Sequence, residues 1–162
     1  SDKQLKNLNS KQAGIAIKWM SKLNTLAYKA TGGRLGYKWR GGANRFSAPP
    51  PVGILTTIGR KSGQPRESPL LFLREGDRVV LVASQGGRAT NPMWYLNLKA
   101  NPDVEINLGP RRVAVTATPV LADDPDYPRL WELVNRDNSN RYNGYQRRTS
   151  RKIPLVRLTP KA

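Results

Sequence analysis

Arg60, Lys61 and Arg66 crowd one short turn, Gly59-Arg60-Lys61-Ser62-Gly63-Gln64-Pro65-Arg66. Two glycines and a proline let the backbone fold sharply there, leaving amide N–H groups beside three fixed positive charges. The chemistry such a turn permits is anion binding. A solvated turn that keeps a sheet edge soluble would carry the same residues. A second small-residue loop, Gln85-Gly86-Gly87-Arg88-Ala89-Thr90, argues for a ligand, because it opens into Asn91-Pro92-Met93-Trp94-Tyr95-Leu96. Asn91 suits an N-cap and Pro92 a first helical position, so a helix N-terminus is expected to face that loop and attract an anion.

The rest of the chain offers few alternatives. With no Cys and no His among 162 residues, thiol nucleophiles, histidine bases, serine triads and His/Cys zinc sites are excluded, and no metal site is expected. Gly59-Arg60-Lys61-Ser62 looks like the end of a P-loop, but the earlier glycine is missing and a proline and a strand follow. No G-x-G-x-x-G is present, which argues against a Rossmann site. An anion-binding rim, an apolar wall and no ordinary proton-transfer residue suit borrowed chemistry, in which a bound cofactor reacts and the protein positions it.

These loops need a scaffold, and the pattern around them reads as β. Strands are expected at about 53–58, 66–74, 78–84, 103–108, 111–121 and 153–159, with hairpin signals at Glu75-Gly76-Asp77 and Gly109-Pro110. Helices are expected from Pro92 to about Ala100 and from Asp124-Pro125 to about Asn135. Hairpin-linked strands with few helices predict a mainly β fold, an antiparallel barrel with flanking helices, over residues 51–162.

Ahead of it, residues 10–30 read as a basic amphipathic helix within an N-terminal unit, 1–30. Lys11, Lys18, Lys22 and Lys29 fall on one stripe, opposite Ile15, Trp19, Met20, Leu23, Leu26 and Ala27. Two roles fit that helix: packing on its own barrel, or lying at an anionic membrane surface as an interfacial element. Residues 31–50 form a Gly/Pro-rich arm. No apolar run approaches the ~18 to 20 residues of a membrane span and no signal-peptide pattern is present, so the cytoplasm is the expected location, with peripheral membrane contact through residues 1–30.

The net charge of +17 would ordinarily suggest nucleic acid. Its distribution argues otherwise. Residues 1–51 carry ten Lys or Arg against one acid, and 141–162 carry seven against none. The segment between them holds eleven against ten. The excess lies in the termini, so a nucleic-acid module ranks below a cofactor-binding barrel.

Three motifs in order, GRKSGQPRESPLLFLREGD, VASQGG and NPMWYLNLKANPDVEI, resemble the deazaflavin (coenzyme F(420))-dependent nitroreductase and quinone reductase family of actinobacteria. The resemblance runs from about residue 50 to the C-terminal IPLVRLTP. It implies a split β-barrel similar to that of flavin reductases, and coenzyme F(420), an 8-hydroxy-5-deazaflavin with a phosphate and an oligoglutamate tail. Carried over, Arg60, Lys61, Ser62 and Arg66 would bind the tail and phosphate. Pro69, Leu70, Ala83, Ser84, Met93 and Trp94 would frame the ring. The implied reaction is hydride transfer to a small electron-poor acceptor such as a quinone, an enone or a nitro compound. Ser84, Tyr142 and Tyr145 are the candidates for polarising that acceptor or relaying a proton, although packing tyrosines and a core Trp94 fit the same positions. The chain departs from the best-known members of that family at Gln85, where they carry a Lys, and at Leu71 and near Ser139, where they carry tyrosines. Arg88 could replace the missing Lys. An FMN-dependent reductase, or a non-catalytic deazaflavin-binding protein of the same fold, remains an alternative.

Overall fold

The computed structural model describes residues 22–23, 25–31, 51–136 and 140–161. The β-branched run forms β1 (Val52–Ile58), which turns directly into β2 (Pro65–Leu71). The single strand expected at 66–74 is two. β2 ends at Leu71, and after Phe72 the chain enters β3 (Leu73–Glu75), which hairpins into β4 (Arg78–Val82). β5 (Asp103–Leu108) and β6 (Arg111–Val120) form a hairpin across Gly109-Pro110, and β7 (Leu155–Pro160) follows two helices. The strand order is β2-β1-β5-β6-β7-β4-β3, with every pairing antiparallel.

β2 and β3 therefore lie at opposite edges of the sheet, yet only Phe72 separates them in sequence. One residue spans about 3.3 to 3.6 Å, so the two edges must come together and the sheet curls into a barrel. Phe72 fixes the junction from inside: its ring is fully buried and its N–H donates to the Pro51 carbonyl at 3.1 Å. The mainly β barrel with flanking helices is the fold the sequence predicts.

Strand alternation divides the apolar residues between two cores. Leu55, Leu81, Ile106, Val115, Val156 and Leu158 fill the barrel, and α1 (Met93–Ala100) stacks Trp94, Tyr95 and Leu98 against them. Val80, Val82 and Leu155 face outward under α2 (Tyr127–Arg136) and α3 (Arg141–Gln146), where they meet Leu130, Val134 and Tyr142. α3 is not foreseen from the sequence, because its six residues, with no aliphatic side chain and an internal Gly144, carry no apolar period.

Part of the N-terminal segment also packs on the barrel. Residues 25–30 are helical, and buried Tyr28 reaches the β5–β6 hairpin. Its hydroxyl donates to the Asn107 carbonyl at 3.2 Å and accepts from the Gly109 N–H. Lys29 pairs with Glu67 of β2 at 3.0 Å. Of the expected apolar arc, Leu23 and Leu26 are 63% and 66% exposed, and Tyr28, outside that arc, is the anchor. Lys11, Ile15, Lys18, Trp19, Met20 and residues 32–50 of the arm lie outside the described residues.

An ion network ties edge strand β3 to the outer layer. Glu75 accepts from Arg157 Nε at 2.9 Å and from Arg129 Nη2 at 2.7 Å, while Asp126 accepts from Arg157 at 3.0 Å. Burial alone would raise the Glu75 pKa, but the hydrogen bonds from Arg157 and Arg129 outweigh it and hold the carboxyl below its ordinary value. With a depressed folded pKa, the stabilisation is complete above the unfolded carboxylate value and lost as pH falls through the folded one. Glu75→Gln should therefore cost about 1.5 to 3 kcal/mol in urea unfolding at neutral pH. The deficit relative to wild type should shrink as the pH drops through the carboxylate range; a pH-independent deficit would contradict this account.

Candidate functional site

The antiparallel ladder makes β1, β4 and β6 run in the same direction. The turn after β1, the loop after β4 and the α2–α3 segment after β6 consequently leave the same end of the barrel. The turns Glu75-Gly76-Asp77 and Gly109-Pro110 occupy the other end, together with an apolar cavity of about 200 Å³ lined by residues including Val79, Ile106, Val113 and Leu158.

The cationic turn is built as a closed loop. Gly59 N–H donates to Gln64 O and Gly63 N–H to Gly59 O, both at 2.8 Å, with Gly63 at φ +68°. Ser62 Oγ accepts from Gln64 N–H at 3.2 Å and from Arg66 Nη2 at 3.3 Å. Arg60 folds back onto α1, where its N–H and Nη1 donate to Asn97 Oδ1 at 3.2 and 3.1 Å and its Nη2 lies 3.9 Å from Met93 Sδ. Asn97 is buried and donates to the buried Thr57 Oγ1 at 3.3 Å. Arg60 thus anchors the turn, while Lys61 and Arg66 stay exposed without an ion pair among the described residues. Asn97 and Thr57 escape sequence reading, since a polar residue inside an apolar helix has no distinguishing spacing.

Pro69 and Leu70 sit half-buried on β2 opposite Ile54 and Gly53, and half-buried Leu71 lies opposite Val52. Met93 is 60% exposed beside Arg60. Trp94 belongs to the barrel core, edge-on to Tyr95 at 6.3 Å.

After β4, Ala83 is fully buried and its N–H donates to Pro154 O at 2.9 Å. Ser84, 7% exposed, starts a tight turn in which Gln85, Gly86 and Gly87 take φ of +47°, +65° and +82°. A Cβ on Gly87 would lie 2.6 Å from the Tyr145 carbonyl oxygen, so only glycine lets α3 approach this closely. Gln85 Oε1 and Arg88 Nε are buried here without a hydrogen-bond partner among the described residues. Orphaned polar atoms of this kind mark a place where a polar ligand can complete the bonding. Asn91 is not the expected cap: Pro92 precedes the helix, no side chain caps it, and Asn91 Oδ1 accepts from Arg151 Nη1 at 2.8 Å.

Tyr145 is half-buried with the Arg148 guanidinium 5.5 Å from its ring centre, and it meets Tyr142 edge-on at 5.9 Å. Tyr142 lies in the outer core. Burial pushes its hydroxyl pKa well up, with the nearby Arg141 charge opposing weakly. Ser139 lies outside the described residues.

The curled antiparallel barrel with flanking helices is shared with solved reductases and binding proteins. A solved F420-H2 dependent reductase is 33% identical with a TM-score of 0.60, covering 67% of this chain and 93% of that one. A heme storage protein of Vibrio cholerae shares the fold at 18% identity and a TM-score of 0.55, over 68% of this chain and 82% of its own. The chain belongs to the F420H(2)-dependent quinone reductase family, whose model matches residues 19–160. An F420H(2)-dependent quinone reductase of Mycobacterium tuberculosis is 51% identical over 138 residues, 85% of this chain and 88% of the relative. Family membership makes the protein an F420-dependent oxidoreductase and coenzyme F(420) its cofactor; the FMN alternative finds no support.

The residues present fit that cofactor: exposed cations on the turn, buried polar atoms of the second loop without a partner among the described residues, and half-buried Pro69 and Leu70 with exposed Met93. Asn97 holds the turn to the helix, so Asn97→Ala should leave Thr57 and Arg60 without their shared partner. We expect a loss of about 1 to 3 kcal/mol in stability and weaker cofactor binding in a deazaflavin fluorescence titration. Unchanged affinity would show that the turn keeps its shape without Asn97.

Proposed function

We propose that this protein passes hydride from reduced coenzyme F(420) to a quinone, with the turn at 59–66 holding the cofactor's anionic tail. The observation that carries this reading is the pair Lys61 and Arg66, both exposed and without a carboxylate partner among the described residues, on a turn that Arg60 and Asn97 lock in place. Lys61, Arg66 and Ser62 bind the phosphate and tail. Pro69, Leu70, Ala83, Met93 and Trp94 frame the ring. When bound, the reduced deazaflavin supplies hydride from C5. The chain's own task is to orient that ring, exclude water and present a hydroxyl to the acceptor oxygen. Ser84, on the loop after β4, and Tyr145, on the helix that loop touches, take that role in this reading. Tyr142, whose proton is held firmly by burial, supports Tyr145 through its ring edge. Enones and nitro compounds are electron-poor enough to accept hydride at the same place.

Lys61→Ala with Arg66→Ala should weaken cofactor affinity at least tenfold and flatten its salt dependence, since each charge-assisted contact is worth roughly 1.5 to 3 kcal/mol. Tyr145→Phe should lower kcat for a soluble quinone more than it changes cofactor affinity. Full affinity in the double variant, or full turnover in the tyrosine variant, would remove the corresponding role.

Residues 1–30 have a second role in this reading. Leu23 and Leu26 are exposed on a helix whose next turn is anchored by Tyr28. Together with the lysines they suit a cytoplasmic-face contact with anionic membrane, where lipophilic quinones reside. Leu23→Ser with Leu26→Ser should reduce sedimentation with anionic vesicles and leave cofactor affinity unchanged. Undiminished sedimentation would show that this face takes no part.

A further inference from the structure

Arg151 lies in the segment between α3 and β7, outside every residue assigned above to the cofactor. Its guanidinium is directed at the ring-side loop. Nε donates to Arg88 O at 2.9 Å, Nη1 to Asn91 Oδ1 at 2.8 Å, and Nη2 to Ser84 O at 2.7 Å and Ala83 O at 3.2 Å. One side chain therefore grips the whole path from the end of β4 to the start of α1. All four acceptors are neutral, and no carboxylate lies within ion-pair distance among the described residues. A partly buried cation without a counter-charge is costly, so its retention calls for a compensating role.

Arg151 is itself held. Gln146 Nε2 donates to the Arg151 carbonyl at 2.7 Å, Gln146 Oε1 accepts from Ile153 N–H at 3.0 Å, and Thr149 Oγ1 accepts from Arg151 N–H at 3.3 Å. The loop it grips has three successive residues at positive φ, one of them Gln85. Backbone of that kind persists only where the surroundings over-determine it. A second side-chain bond to this turn, from Arg148 Nη1 to Gly86 O, is long at 3.5 Å.

We propose that Arg151 is the positioning residue of the cofactor site: it fixes the Ala83–Asn91 loop in its receiving shape, and its uncancelled charge gives that loop a positive potential. Gln85 Oε1 and Arg88 Nε, unpartnered among the described residues, lie on the loop so fixed. This inference rests on the proposed cofactor placement, and its test separates the two. Arg151→Lys keeps the charge but cannot make the four-bond fork, and Arg151→Gln removes the charge. In the cofactor-free protein, amide hydrogen exchange at Gly86, Gly87 and Arg88 should rise at least tenfold in both variants, while strand amides of β5 and β6 stay protected. Cofactor affinity by fluorescence should fall at least tenfold in both, and the Lys variant alone should retain the wild-type salt dependence.

Asn91→Ala, which removes a single acceptor from a half-buried loop position, should show the same loop-confined loosening and a several-fold loss of affinity. It serves if the Arg151 variants do not fold. Unchanged loop exchange, or a loosened loop with wild-type affinity, would overturn the proposal. Wild-type protein that binds no deazaflavin would instead overturn the placement on which it rests.

Discussion

The two edge strands of the sheet are neighbours in sequence, and the single residue between them, Phe72, forces the sheet to close. Everything at the functional end follows from that closure. Once the edges meet, the three strands that run in one direction deliver their exit loops to one rim: a cationic turn from β1, a strained glycine loop from β4, and the tyrosine-bearing α3 beyond β6. Phe72 can act as the pin because Gly53 leaves room beside it: a Cβ at that position would come within 3.2 Å of the Phe72 ring and 2.9 Å of Asn107 O. Helix α1 then fills the barrel with Trp94, Tyr95 and Leu98 and turns Asn97 toward the rim.

The rim uses charge in two ways that differ in magnitude. Lys61 and Arg66 are exposed, where salt screens each contact, so in the proposed site they act by number, on a ligand that carries several negative charges. Arg151 is more enclosed and works mostly through geometry, since its donors end on neutral oxygens. Burial lowers its pKa from the ordinary value, yet an arginine so far above neutrality stays charged. The division suits a cofactor whose tail is polyanionic and whose ring must be held in one orientation. Tail binding tolerates mobile side chains, and hydride transfer does not, because reacting atoms must be brought to near-contact distance.

The barrel was legible because its strands carry β-branched alternation and its hairpins carry Gly, Asp and Pro at the turns. The break at Phe72 was not, since an apolar run such as Leu70-Leu71-Phe72-Leu73 looks continuous whether or not it changes edges. The cationic turn stood out by residue type alone. Its anchor, Asn97, did not, because what distinguishes that side chain is its burial against Thr57, forty residues earlier in the chain. Asn91 shows the same limit in reverse: its type fits a cap, but Arg151 sixty residues later claims its oxygen. The amphipathic stripe of residues 10–30 pointed to a helix, while the side chain that docks residues 25–30, Tyr28, sits outside the apolar arc. Tertiary partners at long sequence separation decide each of these cases, and spacing within one segment cannot reveal them.

The central claim is that the rim recognises a ring and a polyanionic tail together, through different residues. The most direct test compares the affinity of full coenzyme F(420) with that of the same deazaflavin truncated before its phosphate, titrated by ring fluorescence at low and high salt. The account predicts at least tenfold tighter binding of the full cofactor at low salt, with the gap closing as salt screens the turn. Equal affinity for the two compounds, or a gap indifferent to salt, would contradict it.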